Sequence, residues 1–130
     1  MKKPKIKLKV IKEDIGYSAV ATIGETLIAT QGETFEELRA MVLEVVNLTF
    51  EEEGYIYTLE EIQFEYDLES FFAFYKVINA KALAKRIGMN QSLLAQYIRG
   101  LKKPSNNQAK RILNGVQKIG RELSEVNFLL

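Results

Sequence analysis

The chain has 130 residues, of which 47% are hydrophobic and 27% charged, and its formal net charge is +1. This length and apolar fraction are typical of one ordinary folded domain or two very small ones. The absence of cysteine and histidine excludes thiol and imidazole catalysis, zinc sites built on nitrogen or sulfur ligands, and the usual nucleophile triads. No apolar stretch approaches the roughly 20 residues that span a bilayer, so we expect a cytoplasmic protein with no membrane partner.

The small net charge conceals a strong division along the chain. Residues 1–75 hold 7 basic and 15 acidic side chains, a net charge of −8, whereas residues 76–130 hold 11 basic and 2 acidic side chains, a net charge of +9. The basic half is suited to neutralise phosphates, and the acidic half is repelled by them. The two halves are therefore expected to have different partners.

The first half begins with signals for β-strands. Lysine alternates with apolar residues from Lys5 to Val10, which predicts a strand with one solvated and one apolar face. Residues with high β-propensity and turn residues between them predict two further strands. The three strands are expected at residues 5–10, 17–23 and 26–30, as an antiparallel meander.

A helix and a fourth strand complete the first half. Thr34 and Glu37 form an S/T-x-x-E capping box, which predicts a helix that begins there, reaches about residue 52 and is ended by Gly54. Apolar residues at helical spacing give it one face to cover the sheet. Alternation over residues 62–68 predicts the fourth strand. The first half is therefore predicted to be α+β, a small four-stranded sheet with one helix.

The composition shift marks a boundary near residues 68–78, where no flexible linker is present. The segment Glu69–Ile78 carries apolar residues around most of a helix circumference, which is too wide for one buried stripe. We expect a junction helix at 69–78 that packs against both halves. The predicted domains are residues 1–68 and residues 69–130.

The second half is predicted to be all α-helical. Asn79 is suited to cap a short helix, Gly88 to make a turn, Asn90 to cap a second helix and Gly100 to end it. A final amphipathic helix is expected at about residues 105–123. A helix, a tight turn and a second helix are typical of DNA-binding proteins.

The sequence LAKRIGMNQSLLAQYIRGLKKPS, residues 83–105, resembles the helix-turn-helix of the Cro/repressor family. The resemblance covers about 45 residues and includes the Gly-x-x-x-Pro-Ser sequence that begins at Gly100. It departs from the family at Tyr97-Ile98, where the family has an aliphatic and then a polar residue, and this leaves the rotation of the second helix open.

The resemblance implies that the second helix lies in the major groove of duplex DNA. Residues at its beginning are then expected to contact base edges, and basic residues around it to contact phosphates. The base-contacting candidates are Gln91, Ser92, Leu93 and Gln96. The phosphate-contacting candidates are Lys81, Lys85, Arg99, Lys102 and Lys103. A module of this size buries little DNA surface, so we expect a homodimer or a higher even oligomer that reads two half-sites.

The first half resembles the HicB antitoxin domain, which has a reduced ribonuclease-H-like fold. The resemblance covers roughly residues 5–68 and includes the sequence QGETFEEL at residues 31–38, which is similar to that family's strand-to-helix turn. The family's longer segment before this turn is missing. HicB-like antitoxins often carry a helix-turn-helix that represses their own operon, and their partner is a small basic RNA-cleaving toxin. The resemblance thus implies an autorepressing antitoxin of a HicA/HicB-type system.

Two alternatives remain at this point. The first is a helix-turn-helix regulator without a toxin, whose first domain serves oligomerisation or senses a small ligand. The second is a nuclease, which is the least favoured, because two-metal hydrolysis needs converging carboxylates and the only aspartates are Asp14 and Asp67. We expect no catalytic residues, no metal site and no cofactor. The acidic residues of the first half are expected either to mask a basic toxin or only to keep the domain soluble.

Overall fold

The alternation of lysine with apolar residues at the start of the chain forms a strand. In the computed structural model, which describes residues 3–130, β1 (Ile6–Lys12) buries Ile6, Leu8 and Val10 at 1% exposure or less, and the lysines between them are exposed. Successive side chains of a strand point to opposite faces. The prediction of an amphipathic strand is confirmed, and the strand continues to Lys12.

The described residues form four strands and five α-helices in two compact units, with the division between Phe74 and Tyr75. The first, here called the sheet unit, contains β1, β2 (Tyr17–Ile23), β3 (Thr26–Gly32), α1 (Phe35–Thr49), a 3-10 turn (Leu59–Glu61), β4 (Ile62–Tyr66) and α2 (Leu68–Phe74). The second, here called the helical unit, contains α3 (Ala80–Ile87), α4 (Gln91–Ile98) and α5 (Asn106–Ser124). The chain is therefore α+β, as predicted.

The four strands form one mixed sheet in the order β3-β2-β1-β4. β1 with β2 and β2 with β3 pair antiparallel, which confirms the predicted meander. β4 pairs parallel to β1, with Leu8 opposite Phe64 and Val10 opposite Tyr66. Parallel neighbours need a crossover connection, and here α1 provides it between β3 and β4.

α1 begins at the predicted cap and covers the apolar face of the sheet. The Thr34 hydroxyl accepts a hydrogen bond from the Glu37 amide at 3.1 Å, which satisfies one of the amides that a helix start leaves without a partner. Leu38, Val42 and Val46 are fully buried in the same core as the inward residues of β1. This packing holds the helix on the sheet.

The predicted end of α1 is wrong. The helix ends at Thr49, and the next residue, Phe50, is 8% exposed and packs its ring near those of Tyr55 and Tyr57. The chain has already left the helix when it reaches Gly54, which lies in the following turn at φ 76°. Burial of an aromatic ring outweighs the helical spacing that continues in the sequence, because tertiary packing overrides propensity.

The predicted junction helix at 69–78 is shorter and belongs to the sheet unit. α2 ends at Phe74, whose ring stacks on that of Tyr17 with centroids 4.0 Å apart and meets the ring of Phe35 at 4.4 Å. Such aromatic pairs contribute beyond their buried area. They fix the end of the helix on β2 and α1, and the compact unit accordingly ends at Phe74 rather than at residue 68.

The buried polar side chain of α2 gives a first testable prediction. The Ser70 hydroxyl is 1% exposed and accepts a hydrogen bond from the backbone amide of Lys12 at 2.9 Å. Ser70→Ala leaves that amide without its partner, and we expect it to lower the free energy of unfolding by about 1 to 2 kcal/mol. Denaturant unfolding measures the loss, and faster hydrogen exchange at Lys12 locates it.

Ser18→Ala is the matched control for Ser70→Ala. The Ser18 hydroxyl donates to Glu13 Oε1 at 2.8 Å on the exposed surface, where water replaces the lost partner. A change within about 0.5 kcal/mol is expected there. Equal effects of the two substitutions would contradict the role assigned to Ser70.

Candidate nucleic-acid interface

α3 and α4 are joined by a tight turn at Gly88. The residue adopts the left-handed conformation, with φ 70° and ψ 30°, and the amide of Met89 donates to the carbonyl of Ala84 at 2.9 Å. Glycine has no Cβ and adopts this conformation without steric cost. The prediction of a turn at Gly88 is confirmed.

Asparagine side chains cap both helices, as predicted. Asn79 Oδ1 accepts from the Ala82 amide at 3.0 Å at the start of α3, and Asn90 Oδ1 accepts from the Leu93 amide at 3.1 Å at the start of α4. An amide oxygen in this position satisfies a free backbone donor and sets the first turn. α4 thus begins at Gln91, directly after its cap and three residues after Gly88.

A contact from α5 holds the turn in place, and the sequence analysis missed it. The guanidinium of Arg111 donates to the carbonyl of Ile87 at 2.9 Å and to the carbonyl of Gly88 at 2.7 Å. Charge-assisted bonds of this kind are stronger than neutral ones. Arg111 lies 24 residues along the chain from its acceptor Ile87, and a pattern of neighbouring residues does not indicate a contact over that distance.

The rotation of α4 follows from which of its side chains are buried. Leu94 and Tyr97 are 1% and 8% exposed and face the core of the helical unit, and Ile98 is half-buried. Tyr97 thus occupies a core position of the helical unit. Gln91 and Ser92 at the start of the helix are exposed, and the first turn therefore presents polar side chains to solvent.

The structure brings four of the predicted site residues together. Gln91, Lys81 and Lys85 line one open groove of about 460 Å³ between the starts of α3 and α4. Gln91 and Lys81 also line the adjoining groove, together with Arg99. The side chains of one amide and three cations therefore line the same pair of grooves.

The other predicted residues lie outside these two grooves. Ser92 is exposed, and Leu93 and Gln96 are half-buried. The backbone carbonyl of Gln96 accepts from the amide of Leu101 at 2.9 Å and thereby helps to end the helix. Lys102 and Lys103 follow that end and are exposed.

Comparison with known protein families, curated proteins and solved structures gave no match. The electrostatic setting of the interface is favourable to an anionic partner, because residues 75–130 carry 11 basic and 2 acidic side chains. A surface of this sign attracts phosphates and raises their association rate.

One of the two acidic residues of the helical unit is neutralised within it. The guanidinium of Arg86 in α3 donates to both carboxylate oxygens of Glu122 in α5. This hydrogen bond, together with the charges of Arg86 and Lys118, holds the pKa of the Glu122 carboxyl below its usual value. The pair ties the two helices together.

The carboxylates of the sheet unit are engaged separately. Asp67 Oδ1 accepts from the Ser70 amide at 2.7 Å at the start of α2, and Glu61 pairs with Lys3 at 2.7 Å. Among residues 3–130 no three carboxylates come together in a group that could hold a metal ion. No helix in that part of the chain is both long and apolar enough to cross a membrane.

Proposed function

We propose that this protein is a DNA-binding transcriptional repressor that places the start of α4 in the major groove of duplex DNA. The observation that carries the proposal is the common surface on which Gln91 lies with Lys81, Lys85 and Arg99. Base edges are read by a few hydrogen-bonding side chains, whereas cations around them hold the phosphates and set the register. This surface offers both kinds of group.

The chemistry of the α4 side chains suits base readout. An exposed glutamine makes a bidentate pair with adenine, and serine pairs with several base edges. Gln91 and Ser92, which are exposed, are therefore the main readers in this proposal. The half-buried Leu93 and Gln96 contribute an apolar contact and a second amide.

We further propose that the sheet unit makes the repressor an antitoxin of the HicA/HicB type. The charge of the sequence supports this extension, because residues 1–75 carry a net charge of −8, which complements a small basic RNA-cleaving toxin. The alternative is a repressor without a toxin, in which the sheet unit serves oligomerisation or ligand sensing. A neighbouring open reading frame for a short, basic, histidine-containing protein would distinguish the two.

Selection from random duplexes followed by salt titration tests DNA recognition. The full chain is expected to enrich one sequence. For that sequence, Gln91→Ala is expected to weaken the free energy of binding by on the order of 1 to 3 kcal/mol, and to leave the affinity for scrambled DNA unchanged. Lys102→Ala with Lys103→Ala weakens binding to both duplexes alike and lowers the slope of log affinity against log salt by about one unit for each phosphate that is no longer neutralised.

Matched controls come from the sheet unit. Gln63→Ala and the pair Lys7→Ala with Lys9→Ala remove the same groups from exposed strand positions, and they are expected to leave binding to the selected duplex unchanged. Failure to enrich any sequence would overturn the proposal. If Gln91→Ala binds like the unaltered chain while the lysine pair loses specificity, the assignment of base-contacting residues is wrong.

A further inference from the structure

α5 has two apolar faces, of which the helical unit covers only one. The covered face contains Ile112, which is 1% exposed, and Gly115, where an added Cβ would lie 2.4 Å from Cγ2 of Ile87 in α3. Glu122 continues this face with its ion pair to Arg86. α5 therefore packs on α3 through Gly115 and Glu122, on the helix face that also buries Ile112.

The second face is offset from the first by one residue, and its two leucines and its glycine are exposed, whereas its valine is half-buried. It consists of Leu113, Val116, Gly120 and Leu123, here called the α5 stripe. Leu113 is 51% exposed and Leu123 is 65% exposed, and a Cβ added at Gly120 would meet nothing within 4 Å. Four residues at spacings of three, four and three form the type of seam along which helices pair.

The charges of α5 all lie away from this stripe. An α-helix turns about 100° per residue, which places each charged side chain of α5 at least about 100° from the centre of the stripe. These side chains are Lys110, Arg111, Lys118, Arg121 and Glu122. Gln117 and Ser124, which flank the stripe on its polar side, are uncharged, so a second helix that lies along the stripe brings no like charges into direct contact.

The stripe is also complementary to itself. Its spacing reads the same in both directions about position 118, so an antiparallel copy related by a two-fold axis lays one stripe on the other. Leu113 then lies opposite Leu123 at both ends, and Val116 lies opposite Gly120 in the middle. Large side chains meeting small ones pack without voids, and such a two-fold interface is the commonest kind in homodimers.

We propose that the α5 stripe is the dimer interface of this protein and that its occupant is the antiparallel α5 of a second copy. Further apolar side chains are exposed after the end of the helix: Val126 and Phe128 are 51% and 80% exposed, and Leu129 and Leu130 are fully exposed. Exposed apolar side chains that share one helix face, as Leu113 and Leu123 do, are typical of an association surface. The inference rests on the proposed function only for the role of the dimer, which is to present two copies of α4 to two half-sites.

Sedimentation equilibrium of the full chain without DNA tests the interface. The unaltered chain is expected to dimerise at micromolar concentrations. Leu113→Glu with Leu123→Glu sets two carboxylates against each other at both ends of the stripe and is expected to raise the dimer Kd at least about 100-fold. Both leucines are exposed in the helical unit, so circular dichroism is expected to report unchanged helix content.

A charge-swapped variant tests the register. Leu113→Glu with Leu123→Lys places opposite charges across the antiparallel pair, and its dimer Kd is expected at least tenfold below that of the double-glutamate variant. In a parallel pair each introduced charge would meet its own copy and no recovery would occur. Asn107→Glu with Asn114→Glu, at exposed positions on the other side of α5, is the control and is expected to dimerise like the unaltered chain.

Three results would overturn the inference: a monomeric unaltered chain, a double-glutamate variant that still dimerises, or a charge-swapped variant that recovers nothing. DNA selection on the same samples separates this inference from the proposed function. If the chain is a monomer that still selects one half-site, the proposed function stands and the proposed interface is excluded. A dimer that selects no sequence keeps the interface and excludes the function.

Discussion

Leu83→Ala is expected to unfold most of the helical unit and to abolish DNA binding. Leu83 lies in α3, which packs against both α4 and α5, and it is 2% exposed. Truncation of a buried leucine costs about 2 to 5 kcal/mol, because it removes buried area and leaves a cavity. A unit of this size has a small core and only a few kcal/mol of stability to lose.

Hydrogen exchange resolved by residue distinguishes this outcome from a general loss of stability. Amides of α4 are expected to lose protection in Leu83→Ala, whereas those of β1 keep theirs, because the two helices and the strand belong to different compact units. Leu101→Ala removes the same group at a residue that is 69% exposed and is expected to change stability by less than about 0.5 kcal/mol. Equal loss of protection in β1 would contradict independent unfolding of the units.

Local features of the fold were predictable from the sequence because their causes lie within a few residues. The strand β1 follows from a period of two, and the starts of α1, α3 and α4 follow from cap residues whose acceptors lie three positions before their donors. The turn at Gly88 has the same local origin. The cap signals involve backbone groups that must be satisfied where a helix begins, and the alternation of β1 reflects side chains that point to opposite faces of a strand.

The features that sequence reasoning missed depend on contacts between distant residues. The parallel pairing of β4 with β1 joins segments more than fifty residues apart, and Phe50 ends α1 because its ring is buried with Tyr55 and Tyr57. Arg111 reaches the turn at Gly88 from another helix. Periodicity and composition describe residues that are close in sequence, and they therefore do not predict contacts between distant segments.

The residue types of the candidate site were predictable from the sequence, but which of these residues lie together was not. Exposure separates Gln91 and Ser92 from the half-buried Gln96, a distinction that depends on how Leu94 and Tyr97 are buried in the core of the helical unit. The grouping of Lys81 with Gln91 depends on the angle between α3 and α4. A one-dimensional pattern does not determine that angle.

Gly32→Ala is expected to destabilise the sheet unit by at least about 3 kcal/mol. A Cβ at this residue would lie 2.6 Å from the backbone nitrogen of Leu38 and 2.9 Å from its Cα. Leu38 is fully buried, and its amide donates to the carbonyl of Thr34 at 2.9 Å, so the helix cannot move away without losing its first turn and its packing. Denaturant unfolding followed by hydrogen exchange of β1 measures the loss.

Gly24→Ala is the control that separates a steric clash from backbone strain. Gly24 has φ 61° and open space around its missing Cβ, so alanine there costs only the left-handed conformation, roughly 1 to 2 kcal/mol. A smaller effect at Gly32 than at Gly24 would contradict the close approach of β3 to α1.

Gly32 lies in the QGET sequence at residues 31–34, and packing alone accounts for its glycine. The presence of this glycine therefore does not support an antitoxin role, which depends on the acidic charge of the first half of the chain and on a toxin partner. DNA selection by the helical unit is expected to survive Gly32→Ala even where the sheet unit unfolds.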